Sequence, residues 1–164
     1  MKVPLTLNGE QQIWEIDNRV ILVDVLRQKK LLSVKCGCGT LNCGACTVLM
    51  DGRAVLSCVI PAVAVKDSTV ETLEYCLKTP LCSVILDAFA KMNIQLCGYC
   101  NAGKILTAYS LINLYQRPSR QLIYDYVKEF NCLCTETDIL IQGIILAANT
   151  YWSQRGRELH YGNF

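Results

Sequence analysis

The chain has 164 residues, a formal net charge of +2 and 52% hydrophobic content, enough for one good core or two small ones. A charge so close to zero argues neither for nor against a partner; no nucleic-acid partner is expected, and no apolar run approaches the roughly 18 residues of a membrane span. Eleven cysteines are too many for incidental packing, and an odd number fits poorly with a disulfide framework.

The start, MKVPLTLNGE, has no apolar segment of the secretory kind. A reducing, cytoplasmic setting is therefore expected. Val3–Leu7 and Gln11–Ile16 are short alternating runs joined by Asn8-Gly9, a pattern that predicts a β-hairpin. From Val20 to Lys30 the apolar residues Ile21, Leu22, Val25 and Leu26 fall at helical spacing, with Asp17 or Asn18 as the expected N-cap.

Next comes KCGCGTLNCGACTVLMDGRAVLSC, Lys35 to Cys58. Cys38, Cys43, Cys46 and Cys58 make C-x4-C-x2-C followed at a distance by a fourth Cys, the plant-type spacing for a 2Fe–2S cluster. Glycines 37, 39 and 44 permit left-handed turns and let backbone N–H groups approach sulfur. Ordinary buried thiols are the competing explanation. Strands are predicted at Thr47–Met50 and Ala54–Val59 around the turn Asp51-Gly52, the second carrying Cys58. Thr69–Leu73 is expected as a closing edge strand. Hairpin, helix, cysteine loop and returning strands together predict a β-grasp, ferredoxin-like sheet over residues 1–76.

Beyond Glu74 the period changes to 3.6 residues. Cys82–Met92, Ile105–Tyr115, Arg120–Phe130 and Asp138–Trp152 predict four helices, a bundle over residues 77–164, so the expected class is α+β. The polar stretch from Ser153 to Phe164 is expected as a surface extension or docking strand. A second set of thiols, Cys97, Cys100, Cys132 and Cys134, precedes two of these helix starts, where unpaired N–H groups favour an anionic cluster. C-x2-C is also half of many zinc sites, although the C-x-C of the second pair is unusual for a zinc knuckle. Cys36, Cys76 and Cys82 remain, and are expected to be packing residues.

The order KCGCGTLNCGACTV…SC, then CGYC, then CLC, with LVDVLR and LLSVK upstream, resembles the small iron–sulfur subunit of the molybdenum hydroxylase family, which includes xanthine dehydrogenase, aldehyde oxidoreductase, carbon monoxide dehydrogenase and nicotinate dehydrogenase. The resemblance covers essentially the whole chain. It implies two 2Fe–2S clusters, one on Cys38, Cys43, Cys46 and Cys58, the other on Cys97, Cys100, Cys132 and Cys134. It also implies a large molybdopterin-binding partner and an FAD-binding partner, with electrons passing from the pterin through both clusters to the flavin. Where the family carries a Gln before CGYC, this chain has Leu96. Asn101, Leu133, Glu136 and Thr137 also stand where the family carries other residues.

No nucleotide fingerprint or nucleophile–base arrangement accompanies the thiols, and the only histidine is His160. No catalytic residue is expected on this chain, and it does not read as a complete enzyme by itself. The competing function is a ferredoxin-like carrier or adaptor that serves a flavoprotein without molybdopterin.

Overall fold

The computed structural model describes residues 1–39, 41–128, 130 and 134–161, with side chains described as far as Arg155. Strands β1 (Lys2–Leu7) and β2 (Glu10–Glu15) pair antiparallel, with Val3 opposite Trp14. Asn8 and Gly9 take φ of 51° and 84°, the two left-handed residues that a tight hairpin needs to match strand twist. The second hairpin, β3 (Thr47–Met50) and β4 (Arg53–Leu56), repeats the device at Asp51 and Gly52, with φ of 51° and 77°.

Strand β5 (Thr69–Glu71) corrects an expectation, because it lies at the centre of the sheet and not at its edge. The strand order is β2-β1-β5-β3-β4, with β5 parallel to β1 and antiparallel to β3. Each hairpin leaves one strand with an unpaired side, and β5 fills the gap between them with fully buried Val70. The chain leaves the sheet at Thr72, whose N–H donates to Asn8 Oδ1 at 2.9 Å.

Helix α1 (Leu22–Gln28) is shorter than expected and is capped by Ile21. Asp17 is occupied elsewhere, accepting from the Arg19 backbone N–H at 2.9 Å and from its guanidinium at 3.1 Å. Ile21 meanwhile bridges to Pro61, and this contact sets where the helix can begin. The strand expected to reach Val59 ends at Leu56, and Ser57–Val59 form a 3₁₀ turn carrying Cys58.

The rest is helical: α2 (Leu73–Cys76), α3 (Pro80–Lys91), α4 (Asn101–Leu114), α5 (Arg120–Val127) and α6 (Thr137–Tyr161). Thr79 caps α3, accepting from Cys82 N–H at 3.3 Å with Pro80 at the first position, a placement where its missing N–H costs nothing. Ser119 caps α5 through Leu122 N–H at 3.2 Å. The stretch expected as a polar tail continues α6 to Tyr161. Trp152 anchors that helix by donating to the Ile112 carbonyl at 3.2 Å, and Arg155 lies over the Tyr151 and Trp152 rings.

Two apolar cores result. Val3, Leu5, Leu7, Val48 and Val70 face Leu22, Val25 and Leu26 of α1. The neighbouring residue of β3, Leu49, belongs to the other core with Ile85, Phe89, Leu111 and Ile144, as strand alternation requires. Helix α4 therefore packs on the second hairpin, and buried Ser110 joins them by donating to Gly52 O at 2.9 Å and accepting from Ala54 N–H at 3.1 Å. Among the described residues no helix is long and apolar enough to cross a membrane.

Candidate metal centre

The start of the first cysteine loop is pinned from two sides. Arg27 donates to Val34 O at 2.8 Å, and both the N–H and the hydroxyl of Ser33 donate to the Glu74 carboxylate, at 2.8 and 2.6 Å. Lys35 N–H then closes the loop onto Ala45 O at 2.9 Å. Within it Gly39, Leu41 and Gly44 take φ of 63°, 70° and 66°, left-handed positions that turn successive N–H groups toward one side. Cys43 Sγ receives the Ala45 N–H at 3.4 Å. A Cβ at position 37 would crowd that sulfur, at 2.9 Å, and the Tyr99 hydroxyl, so a larger residue there displaces one or the other.

Cys46, at the end of the loop, is buried, and its carbonyl accepts from the N–H and the hydroxyl of Ser57 at 3.2 and 2.7 Å. These two hydrogen bonds bring Cys58 next to Cys46. Burial first, then the hydrogen bond with Cys46 and the charges at Cys46, Cys38 and Cys36, push the Cys58 thiol up to about 12. A set of thiols this crowded cannot ionise together unless a cation joins it.

The second set is arranged around two helix starts. Cys100 is the N-cap of α4. The Cys97 thiol is brought down to about 7, first by the Tyr99 N–H, then by Cys134 and the Cys100 N–H, so segments 37 residues apart meet at one sulfur. Cys132 and Leu133 lie outside the described residues. Among the described residues no three His, Cys, Asp or Glu side chains close around one point at single-ion spacing, and no disulfide joins the described cysteines.

The two thiol sets adjoin. The Lys35 ammonium donates to the Gly98 carbonyl. The half-exposed Tyr99 phenol is held above its ordinary range by partial desolvation and by the charges at Cys43 and Cys38 on one side and Cys100 on the other. A Cβ at position 44 would stand 2.5 Å from the Phe130 ring, and one at 103 would stand 2.5 Å from the Gly44 carbonyl oxygen.

Residues 5–77 match the family model of a 2Fe–2S iron–sulfur cluster binding domain, and residues 69–145 match a [2Fe–2S] binding domain. The nicotine 6-hydroxylase small subunit of Paenarthrobacter nicotinovorans is 29% identical over 95% of this chain and 94% of its own length. The nicotinate dehydrogenase small FeS subunit of Eubacterium barkeri is 35% identical over 81% of this chain and 85% of its own. The chain belongs to the small iron–sulfur subunits of the molybdenum hydroxylase family. The subunit's structure is similar to a chain of quinoline 2-oxidoreductase from Pseudomonas putida 86, with a TM-score of 0.80, 30% identity and coverage of 95% and 97% of the two chains.

The residues of this subunit fit two 2Fe–2S clusters on physical grounds. Both thiol sets are lined by donated N–H groups, and the glycine at 37 leaves sulfur the room that a Cβ would take. Cys76 and Cys82 are fully buried packing residues, as expected, and burial pushes their thiols up to about 12 and about 11. Cys36 corrects the expectation made for it, because it is exposed. Two residues before Cys38 on an open loop, its side chain finds no core to enter.

The described positions that depart from the family pattern serve local structure. Leu96 is partly buried against the helical core, Asn101 opens α4, Thr137 opens α6, and the Glu136 carbonyl accepts from Leu140 N–H at 3.1 Å. Lys104 is a site residue that sequence reasoning missed. Its signal is its place at i, i+4 and i+7 with the buried Ala108 and Leu111, where a charge is out of keeping with the apolar face.

Proposed function

We propose that this chain is the electron-transfer subunit of a multi-subunit molybdopterin-dependent hydroxylase or dehydrogenase, standing between a large pterin-binding subunit and an FAD-binding subunit in the cytoplasm. In this reading residues 1–76 are a β-grasp ferredoxin-like domain and residues 77–164 a four-helix cluster-binding domain. Cys38, Cys43, Cys46 and Cys58 hold one 2Fe–2S cluster, and Cys97, Cys100, Cys132 and Cys134 hold the other. When bound, each cluster accepts and releases one electron at a time.

The observation that carries the reading is the junction at Gly37, where the Tyr99 hydroxyl of the CGYC segment and the Cys43 sulfur of the first loop lie together, both within 2.9 Å of where a Cβ would stand. The protein's own part is to hold two thiol sets side by side, and the Lys35–Gly98 bond and the Gly44–Gly103 contact do so. In this reading substrate chemistry falls to the partner, since among the described residues no base or nucleophile arrangement for breaking a C–H bond lies near the thiols. The small-subunit names of the two relatives support membership of a larger assembly.

Co-purification from cell extract followed by metal analysis tests this. The expected result is a stable complex with a larger, molybdenum-containing subunit, and about four irons and four sulfides on this chain. A chain that runs as a monomer and is reduced by a free flavoprotein points instead to an independent carrier. A colourless preparation holding zinc ends the iron–sulfur reading.

A further inference from the structure

Lys104 sits on the first turn of α4 and is only 1% exposed. Lysine is almost never buried so completely unless its charge is answered. Its ammonium donates to Thr135 Oγ1 at 3.0 Å and to the Gln95 carbonyl at 3.4 Å, and the Thr135 hydroxyl in turn donates to the same Gln95 carbonyl at 2.9 Å. The single hydroxyl proton of Thr135 is thus used toward Gln95, and its lone pair accepts from Lys104.

The three corners of this triangle belong to three cysteine-bearing segments. Gln95 lies two residues before Cys97, Thr135 directly follows Cys134, and Lys104 N–H donates to the Cys100 carbonyl at 3.3 Å. Among the described residues no carboxylate pairs with Lys104; the ion pairs found there are Lys2–Glu15, Arg19–Asp17, Arg120–Asp138 and Lys128–Asp125. A carbonyl and a hydroxyl orient an ammonium but do not neutralise it, and a methionine or leucine would fill the same space with no desolvation cost. The same segments carry Cys97, Cys100 and Cys134, whose thiolates are anionic when they hold a metal.

We propose that Lys104 is a positioning and charge-compensating residue for the cluster of the helical half. Its ammonium clamps the loops that carry Cys97 and Cys134 and raises that cluster's reduction potential, because a buried cation beside the site favours the form with one more electron. The proposal rests on the reading that Cys97, Cys100, Cys132 and Cys134 hold a cluster.

The test is a redox titration of the full chain followed by electron paramagnetic resonance, with Cys134→Ser identifying which signal belongs to the helical half. Lys104→Met and Lys104→Gln should each move the midpoint of that signal to more negative potential and leave the other signal's midpoint in place. Lys104→Arg should restore it toward the native value, and Thr135→Val, which keeps the charge and cuts the clamp, should broaden the signal with a smaller shift. An unmoved midpoint in both Lys104→Met and Lys104→Gln overturns the proposal. Equal shifts of both clusters, or loss of both together, overturn it as well, since the role is local to one site. If Cys134→Ser leaves both signals intact, the ligand reading itself fails and the proposal falls with it.

Discussion

Gly103, on the first turn of α4, lies against the carbonyl of Gly44 in the first cysteine loop, so closely that a Cβ at 103 would stand 2.5 Å from the oxygen and 3.0 Å from the carbonyl carbon. The obstruction is backbone, which cannot swing aside as a side-chain tip could. Gly103→Ala gains up to about 1 kcal/mol of helix propensity but incurs an overpacking cost of about 1–3 kcal/mol. The expected net result is a lower melting temperature and a weaker magnetic interaction between the two reduced clusters. Gly98→Ala is the control, since nothing lies within 4 Å of its Cβ position; an equal effect from both variants would remove the significance of the close approach.

Ser110→Ala should separate the stability of the interface from cluster binding. It cuts both bonds between α4 and the second hairpin and leaves the Ala54 N–H without its acceptor. Losing such a partner costs about 1–3 kcal/mol, which for a chain of this size is about 2–4 °C of melting temperature per kcal/mol. Both cluster absorption bands should persist at native intensity. A variant as stable as the parent would mean that water replaces the hydroxyl without loss.

Thiol accessibility gives a third check. Cys36 is exposed and should alkylate in the native protein, while Cys76 and Cys82 are buried and should react only on unfolding. Burial pushes their folded thiols up to about 12 and about 11, above the ordinary 9. The folded state therefore holds these protons more tightly than the unfolded chain. Their contribution to stability is fully present below pH ~9 and declines as pH rises toward 11–12. Native mass spectrometry after alkylation, with denaturant melts between pH 8 and 11, reads both effects; stability that falls less over that range in Cys76→Ala than in the parent would assign the pH dependence to this thiol, whereas identical pH profiles would refute it.

Ligand and non-ligand cysteines should divide cleanly. Cys43→Ser should abolish one cluster signal and spare the other, and Cys134→Ser should do the reverse. Cys82→Ala and Cys36→Ser should keep about four irons per chain. Iron analysis alongside the spectra decides it, and loss of a cluster in Cys36→Ser would place Cys36 among the ligands.

Much of this protein is determined locally and so is legible in its residues. Asn8-Gly9 and Asp51-Gly52 specify their turns because left-handed backbone is available to those residue types. The spacing of Cys38, Cys43 and Cys46 carries its meaning because the three lie on one short loop. The periodicity marks where α3 and α5 run, because each buries one stripe, whereas α4 is buried on nearly every side and α6 continues past its apolar stretch. Relationships between distant segments were decided only by the tertiary structure. Strand β5 reads as an edge because three residues carry no sign of how many neighbours they will pair with; two hairpins with open sides make it central. Asp17 has the composition of a cap, yet Arg19 claims its carboxylate and the Ile21–Pro61 bridge sets the helix start. Lys104 stands out on an apolar face, but only the folding of α4 brings the Gln95 and Thr135 segments over its ammonium. The proximity of the two thiol sets is of the same kind, since Gly44 and Gly103 are 59 residues apart and meet only when α4 packs across the second hairpin.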